Sequence, residues 1–207
     1  MICEARAEST ARNRMDVDAG AMILVANSDI EHPQWRRTVL LATPMPNGGH
    51  VGVIINRPTQ ITLEQLFPGH EPSRKILDPV YYGGPFFVNV LVAVVRSGHA
   101  SEPGSLALTR DLVLATAVDT IDRIIEREPA SARYYMGFVL WRPGELSAEL
   151  GERLWSVCTA NAETVFRPHV EQLWEELSAI ARGTLVSTPL PAHALAQEST
   201  KFWSAPR

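Results

Sequence analysis

The sequence predicts an α+β fold in a single globular unit, and three observations lead there. Short β-branched runs such as AMILVA, VLLAT and VNVLVAVV are each bounded by Gly, Pro or Asn clusters, the mark of buried strands. Other stretches carry apolar residues at helical spacing behind capping residues. With 207 residues the chain suffices for one well-buried core and is short for two independent ones.

The elements follow in order. AMILVA (21–26) reads as the first strand, NSDIEHPQ as a turn-rich loop, and WRRTVLLAT (35–43) as the second strand. PMPNGG (44–49) supplies the positive-φ residues of a tight connection, so HVGVIIN (50–56) should return as a hairpin partner. Thr62 and Gln65 have capping-box spacing, which predicts a short helix TLEQLF. A Pro-rich, charged linker (68–78) leads to the strand PVYY, the break Gly83-Gly84-Pro85, and the strand VNVLVAVV (88–95). SLAL (105–108) is a short pairing segment. Thr109 or Asp111 then caps a long helix whose stripe is Leu114, Val118, Ile121 and Ile125, ending at Pro129. SARYYMGFVLW (131–141) is a strand, and ELSAELGERLW a helix with Leu146, Leu150 and Leu154 on one face. TVF (164–166) reads as a last strand. A helix opened by Pro168 buries Val170, Leu173, Trp174, Leu177 and Ile180, and Gly183 suits its left-handed cap. The expected organisation is one domain over 20–185, a flexible extension at 1–19 and a loosely attached tail at 186–207.

Composition narrows the function classes. The N-terminus lacks the apolar block of a secretory signal, and no run approaches the roughly 18 apolar residues of a membrane span, so we expect a cytoplasmic protein without membrane contact. A net charge of −4 with dispersed Lys and Arg gives no electrostatic footprint for nucleic acid. Cys3 and Cys158 cannot form a CxxC site and read most simply as two free thiols. The six histidines make no His-x-x-x-His pair and no serine sits in a Gly-x-Ser-x-Gly elbow, so neither a metal, a cofactor nor an activated nucleophile is expected.

Several tripeptides recur in a fixed order: MILVANSDIEHP, then Asn56-Arg57-Pro58, Gly83-Gly84-Pro85, Thr109-Arg110-Asp111, and Trp141 followed by Gly144-Glu145-Leu146. In that order and spacing, over roughly residues 20–183, the chain resembles the AlgH/YqgE family of small bacterial proteins, whose activity is unassigned. The resemblance implies a mixed, largely antiparallel sheet that curls into a partial barrel with helices outside. It also carries the label of transcriptional regulator traditionally attached to the family. The segment FFVNVLVAVVRSG departs from the family's Arg-Gly-Phe-x-Leu-His pattern, and His99 has no anchored counterpart role.

Three places could bind a ligand. Arg57, held extended by the following proline, and Asn56, which tolerates the left-handed region, could grip a carboxylate or phosphate, or simply close a turn. Gly83 and Gly84 admit a backbone path that either permits close strand crossing or leaves N–H groups facing a ligand. Thr109, Arg110 and Asp111 at a helix start could favour an anion, or Asp111 could merely cap. The structural reading leads at each, and convergence of Arg57 with Arg110 would reverse that order. The acidic residues 145, 149, 152, 175 and 176 read as solvated helix faces, and Trp141, Trp155 and Trp174 as packing residues. The expectation is a non-enzymatic regulatory module for a small anion or a protein partner. The alternatives are an enzyme on a phosphorylated or carboxylated metabolite and a DNA-binding regulator.

Overall fold

The structure is a computed structural model that describes residues 20–96 and 103–186. His99, Cys3 and the segments 1–19 and 187–207 lie outside the described residues. Ten strands are present among the described residues: β1 Met22–Ala26, β2 Val39–Pro44, β3 His50–Ile54, β4 Pro58–Thr62, β5 Pro79–Tyr82, β6 Phe86–Arg96, β7 Ser105–Ala107, β8 Leu112–Ala115, β9 Ala132–Trp141 and β10 Trp155–Thr159. The helices are α1 Leu63–Leu66, α2 Glu71–Arg74, α3 Val118–Arg127, α4 Glu145–Gly151, α5 Ala162–Val165 and α6 Leu173–Val186.

The strands join in the order β10-β1-β2-β3-β9-β6-β8-β7, with β4 paired to β5 and β5 to β9. Every pairing is antiparallel except β5 with β9, where Tyr81 faces Tyr135. This is the α+β half-barrel with a largely antiparallel sheet that the resemblance implies. Its inner face gathers alternate residues of successive strands, including Ile23 and Val25, Val39 and Leu41, Val51 and Val53, Val92 and Val94, and Leu112 and Leu114. Leu173 and Leu177 of α6, with Ala162 and Val165 of α5, pack against that face. On the outer face, α4 covers β1 and β2 through Leu146 and Leu150, while α1 and α3 cover β6 and β9 through Leu63, Ile121 and Ile124. Burial on both faces explains why β1 and β8 are apolar throughout instead of alternating.

The hairpin over PMPNGG forms with Pro44 opposite His50, and Thr62 with Gln65 makes the reciprocal capping box. Four expectations change. The stretch 112–115 is strand β8 paired to β6, not the first turn of the long helix, so Leu114 is a sheet residue and α3 begins only at Val118. A short, wholly buried apolar run satisfies both patterns, and here the partner strand decides. The helix expected over ELSAELGERLW stops at Gly151, and its last residue, Trp155, instead opens β10 on the edge of β1. TVF is not a strand but part of α5, capped when Asn161 Oδ1 accepts from Thr164 N at 2.8 Å. Finally, α6 starts at Leu173 instead of Pro168 and runs through Gly183, so that glycine is not its left-handed cap.

Two further corrections concern side chains. Cys158 is disulfide-bonded, not a free thiol. The first half of β6, expected to be buried, is exposed at Phe86, Phe87, Val88 and Val90. The cause is a bulge: Phe86 faces Phe138 and Leu91 faces Met136, so the four residues between bow outward opposite Gly137. Phe87 adopts φ 51° and stacks on Phe138 at 5.5 Å.

Candidate functional site

The Asn56–Arg57 corner is built by the turn that precedes β2. Past the end of β3, Ile55 N still donates to Val39 O at 2.9 Å. Asn56 then continues the ladder with its side chain: Oδ1 accepts from Val39 N and Nδ2 donates to Arg37 O, both at 2.9 Å. An amide side chain has both a donor and an acceptor, so it can mimic a peptide group where the strand has ended. Arg37 sits at φ 54°, and the turn it makes brings the Arg36 and Thr38 oxygens toward the next residue, Arg57.

The Arg57 guanidinium is half-buried beneath this turn. Its Nη2 donates to Thr38 Oγ1 at 2.7 Å and to Arg36 O at 3.4 Å, both neutral acceptors. Its backbone carbonyl accepts from Tyr82 N at 2.9 Å, which fixes the corner to β5. Burial pulls the guanidinium pKa below its ordinary value; the Tyr82 phenol opposes that and the like charge of Arg36 adds to it. The neighbouring Arg37, by contrast, is ion-paired with Glu175 and lies 5.2 Å from the Trp174 ring centre. A guanidinium has five N–H donors. The bonds that Arg57 makes to described residues use only Nη2, which both paired forks of a guanidinium need, so Nε–H and Nη1–H, on different edges, are each available for a single hydrogen bond to a carboxylate or phosphate oxygen.

Gly83 and Gly84 serve strand crossing. Gly83 N donates to Met136 O and Gly83 O accepts from Ile54 N, both at 2.8 Å, so its peptide groups bridge β9 to the end of β3. A Cβ at Gly83 would stand 2.2 Å from Gly137 O, and one at Gly84 2.4 Å from the Phe138 carbonyl. Gly137 answers with φ 72° on the other side of the crossing. The Gly83 amide is therefore engaged by β9 and does not face a ligand.

Thr109, Arg110 and Asp111 are not at a helix start. They form the β7–β8 turn, closed by Leu108 N and Thr109 N donating to Leu112 O at 2.9 and 3.2 Å. Thr109 Oγ1 donates to Asp111 Oδ1 at 2.7 Å and accepts from Asp111 N at 3.3 Å. The helix-dipole argument for an anion here therefore lapses, because α3 begins seven residues after Asp111, with Ala117 as its cap. In the sheet order β9 and β6 lie between β3, which leads to Arg57, and β8, which follows Arg110, and no hydrogen bond described for either arginine joins the two.

Two polar features escaped the sequence reading. Arg133 is only 4% exposed on β9, where Nη1 donates to Val165 O at 2.6 Å and Nη2 to Arg167 O at 3.0 Å. Its guanidinium lies 4.7 Å from the Tyr81 ring, so it caps the C-terminal carbonyls of α5 while stacking inside the barrel. Burial raises the pKa of Tyr81, Tyr134 and Tyr135 above the ordinary value, with Arg133 opposing the shift at Tyr81 and Tyr135. The second feature is Glu149, expected on a solvated face, whose Oε2 accepts from Trp141 Nε1 at 3.0 Å and Trp155 Nε1 at 2.7 Å. A buried arginine and a tryptophan-clamped carboxylate have no local sequence signature, since their partners come from distant elements.

Comparison with known proteins decides the kinship. A family model described as AlgH-like matches residues 23–185. The chain belongs to the AlgH-like family. Among its relatives, this AlgH-like chain is 29% identical over 165 residues to a UPF0301 protein of Chromohalobacter salexigens, covering 76% of the chain and 86% of that protein. It is 32% identical over 157 residues to a UPF0301 protein of Magnetococcus marinus, covering 73% and 83%. Among solved structures it is similar to the AlgH protein of Pseudomonas aeruginosa, with a TM-score of 0.63 and 26% identity, over 81% of this chain and 92% of that one. A protein of Corynebacterium diphtheriae has the same fold at a TM-score of 0.63 and 23% identity, over 75% and 83% of the two chains.

Proposed function

We propose that this chain is a non-catalytic regulatory module of the cytoplasm that binds a small carboxylate or phosphate at the Asn56–Arg57 corner. The observation that carries the reading is the half-buried Arg57 guanidinium, bonded to neutral oxygens and depressed in pKa by burial with Arg36 adding to the shift. A desolvated cation beside a second cation is stabilised by an arriving anion, to whose oxygens the Nε–H and Nη1–H of Arg57 can each donate. Asn56 holds the turn that shapes the corner, while Arg110 takes no part. The groups pushed upward in pKa are buried tyrosines, which favours binding over proton transfer.

The test is a thermal-shift screen of the purified protein against carboxylates, phosphorylated metabolites and nucleotides, repeated on Arg57→Ala and Arg110→Ala. A ligand at about 100 times its Kd adds roughly 2.7 kcal/mol of apparent stability. A shift lost in Arg57→Ala and kept in Arg110→Ala supports the reading. A shift that survives in Arg57→Ala moves the site elsewhere. The exposed Phe86, Phe87 and Val88 favour the second reading, a protein partner, which gains ground if no anion shifts the melt.

A further inference from the structure

The first half of β6 is a sheet edge that no other described strand covers. β8 lies beside β6 only from Ala93, opposite Ala115, to Arg96, opposite Leu112. Past Ala115 the chain turns away, because Thr116 N donates to Gly104 O at 2.8 Å and α3 starts at Val118. On the other side the register with β9 skips from Phe86 to Leu91, so Phe87–Val90 have no strand partner in register among the described residues. The ring of Phe87, 64% exposed, rests on Phe138 and holds the bow in place.

Edges of this kind are normally blunted by charge, by proline or by a covering element. Here the run Phe86–Val95 has no charged residue, and Pro85 and Ala93 bound a free stretch from Phe86 to Val92. Its midpoint is Asn89, the one polar side chain in it, which is exposed. Two features select the occupant. A neutral strip offers an oppositely charged partner nothing to recognise, whereas two copies of it meet without like charges facing, although the whole chain carries a net charge of −4. The strip is also self-complementary about its midpoint. Turned antiparallel, Val88 meets Val90 and Phe87 meets Leu91, while the amide of Asn89, both donor and acceptor, meets its own kind.

We propose that this edge is a homodimer interface, in which β6 of a second copy adds antiparallel across a two-fold axis at Asn89 and joins two half-barrels into one continuous sheet. Main-chain N–H and C=O groups of Phe87–Val90 supply the hydrogen bonds, and the exposed Phe86, Phe87, Val88 and Val90 supply the apolar cover. A strip this short buries less than the about 800 Å² per partner of a standard interface, so the dimer is a weak one that forms and parts with concentration. A second copy is thus the partner that the exposed strip takes, which rests on the protein-partner reading above. The strip shares no residue with the Asn56–Arg57 corner, so anion shifts in the melt neither support nor undermine it.

The experiment is sedimentation equilibrium on the full chain from about 10 μM to about 500 μM, for the wild type, Asn89→Lys and Asn89→Glu. The wild type should shift toward the dimer mass as concentration rises. Each variant alone sets like charges against each other at the axis and should associate at least about tenfold more weakly. Because the position is exposed, both should melt with the wild type by circular dichroism. Mixed in equal amounts, the two variants should associate at least as well as the wild type, a rescue that requires residue 89 to face its own counterpart. A wild type that stays monomeric throughout overturns the dimer and leaves the strip to a foreign partner. A dimer that persists in each variant alone places the contact elsewhere and overturns the proposal. Slow amide exchange at residues 87–90 that does not change with concentration also overturns it, because the edge is then covered within a single chain.

Discussion

Replacing Gly83 by alanine is the sharpest probe of how the strands cross at the centre of the sheet. The new Cβ would sit 2.2 Å from Gly137 O and 2.9 Å from Tyr135 Cβ. The first contact is backbone in the middle of β9 and cannot swing away as a side-chain tip could. Relief requires the link between β5 and β6 to lift, which lengthens the 2.8 Å bonds from Gly83 N to Met136 O and from Ile54 N to Gly83 O. Overpacking costs about 1–3 kcal/mol, and weakening two buried backbone bonds adds about 1 kcal/mol each. A total of about 3–5 kcal/mol in a domain of this size lowers Tm by about 6–20 °C. Thermal and urea unfolding followed by circular dichroism measure it. Gly151→Ala is the internal control, because nothing lies within 4 Å of its Cβ position and it ends a helix. That change should stabilise by about 0.4–1 kcal/mol. A Gly83→Ala protein that melts with the wild type would refute the crossing argument and return the glycine pair to a ligand-facing role.

Other perturbations test the remaining features. Glu149→Ala leaves two buried indole N–H groups without their shared acceptor and should cost about 2–4 kcal/mol, whereas Glu149→Gln keeps an acceptor oxygen and should cost less than half of that. Urea denaturation read by tryptophan fluorescence separates them, and equal losses would show that charge matters more than the acceptor. For Tyr81, Tyr134 and Tyr135 the native pKa lies above the ordinary 10.0, so the unfolded chain loses these protons first as pH rises. Their contribution is complete below pH about 10 and disappears as pH climbs through the raised native values. Spectrophotometric titration should therefore show three of the four tyrosines ionising late and together with unfolding; independent ionisation near 10 in the folded protein would contradict the burial.

Much of the sheet was legible because its signals are local. The Pro44 to Gly49 turn and the Thr62–Gln65 cap each need only a few neighbouring residues to act, and both formed. The errors fall where an element's identity depends on a distant partner. Leu112–Ala115 and Trp155–Thr159 are strands because β6 and β1 offer them edges, and no periodicity inside four or five residues encodes that. The helix start expected at Thr109 failed for the same reason, and the anion argument built on it failed with it. Asn56 and Arg57 were legible as residue types suited to a turn or an anion. Their actual partners, Val39, Arg37, Arg36 and Thr38, lie 17 to 21 residues earlier in the chain. The bowing of Phe87–Val90 was invisible, since the bulge is set by the φ of 72° at Gly137, almost fifty residues away.

The pairing of β1 with β10 has a consequence for synthesis. Met22 waits for Thr159 and Ala26 for Trp155, so the first strand to leave the ribosome finds one of its two neighbours only after more than 130 further residues have been made. Until then Met22–Ala26, apolar in all five positions, presents a bare hydrogen-bonding edge to its surroundings. The Val39–Pro44 and His50–Ile54 hairpin emerges early enough to cover its other side. A ribosome stalled before residue 155 would thus hold a nascent chain with a sticky flank and no strand to seal it, a natural client for a chaperone.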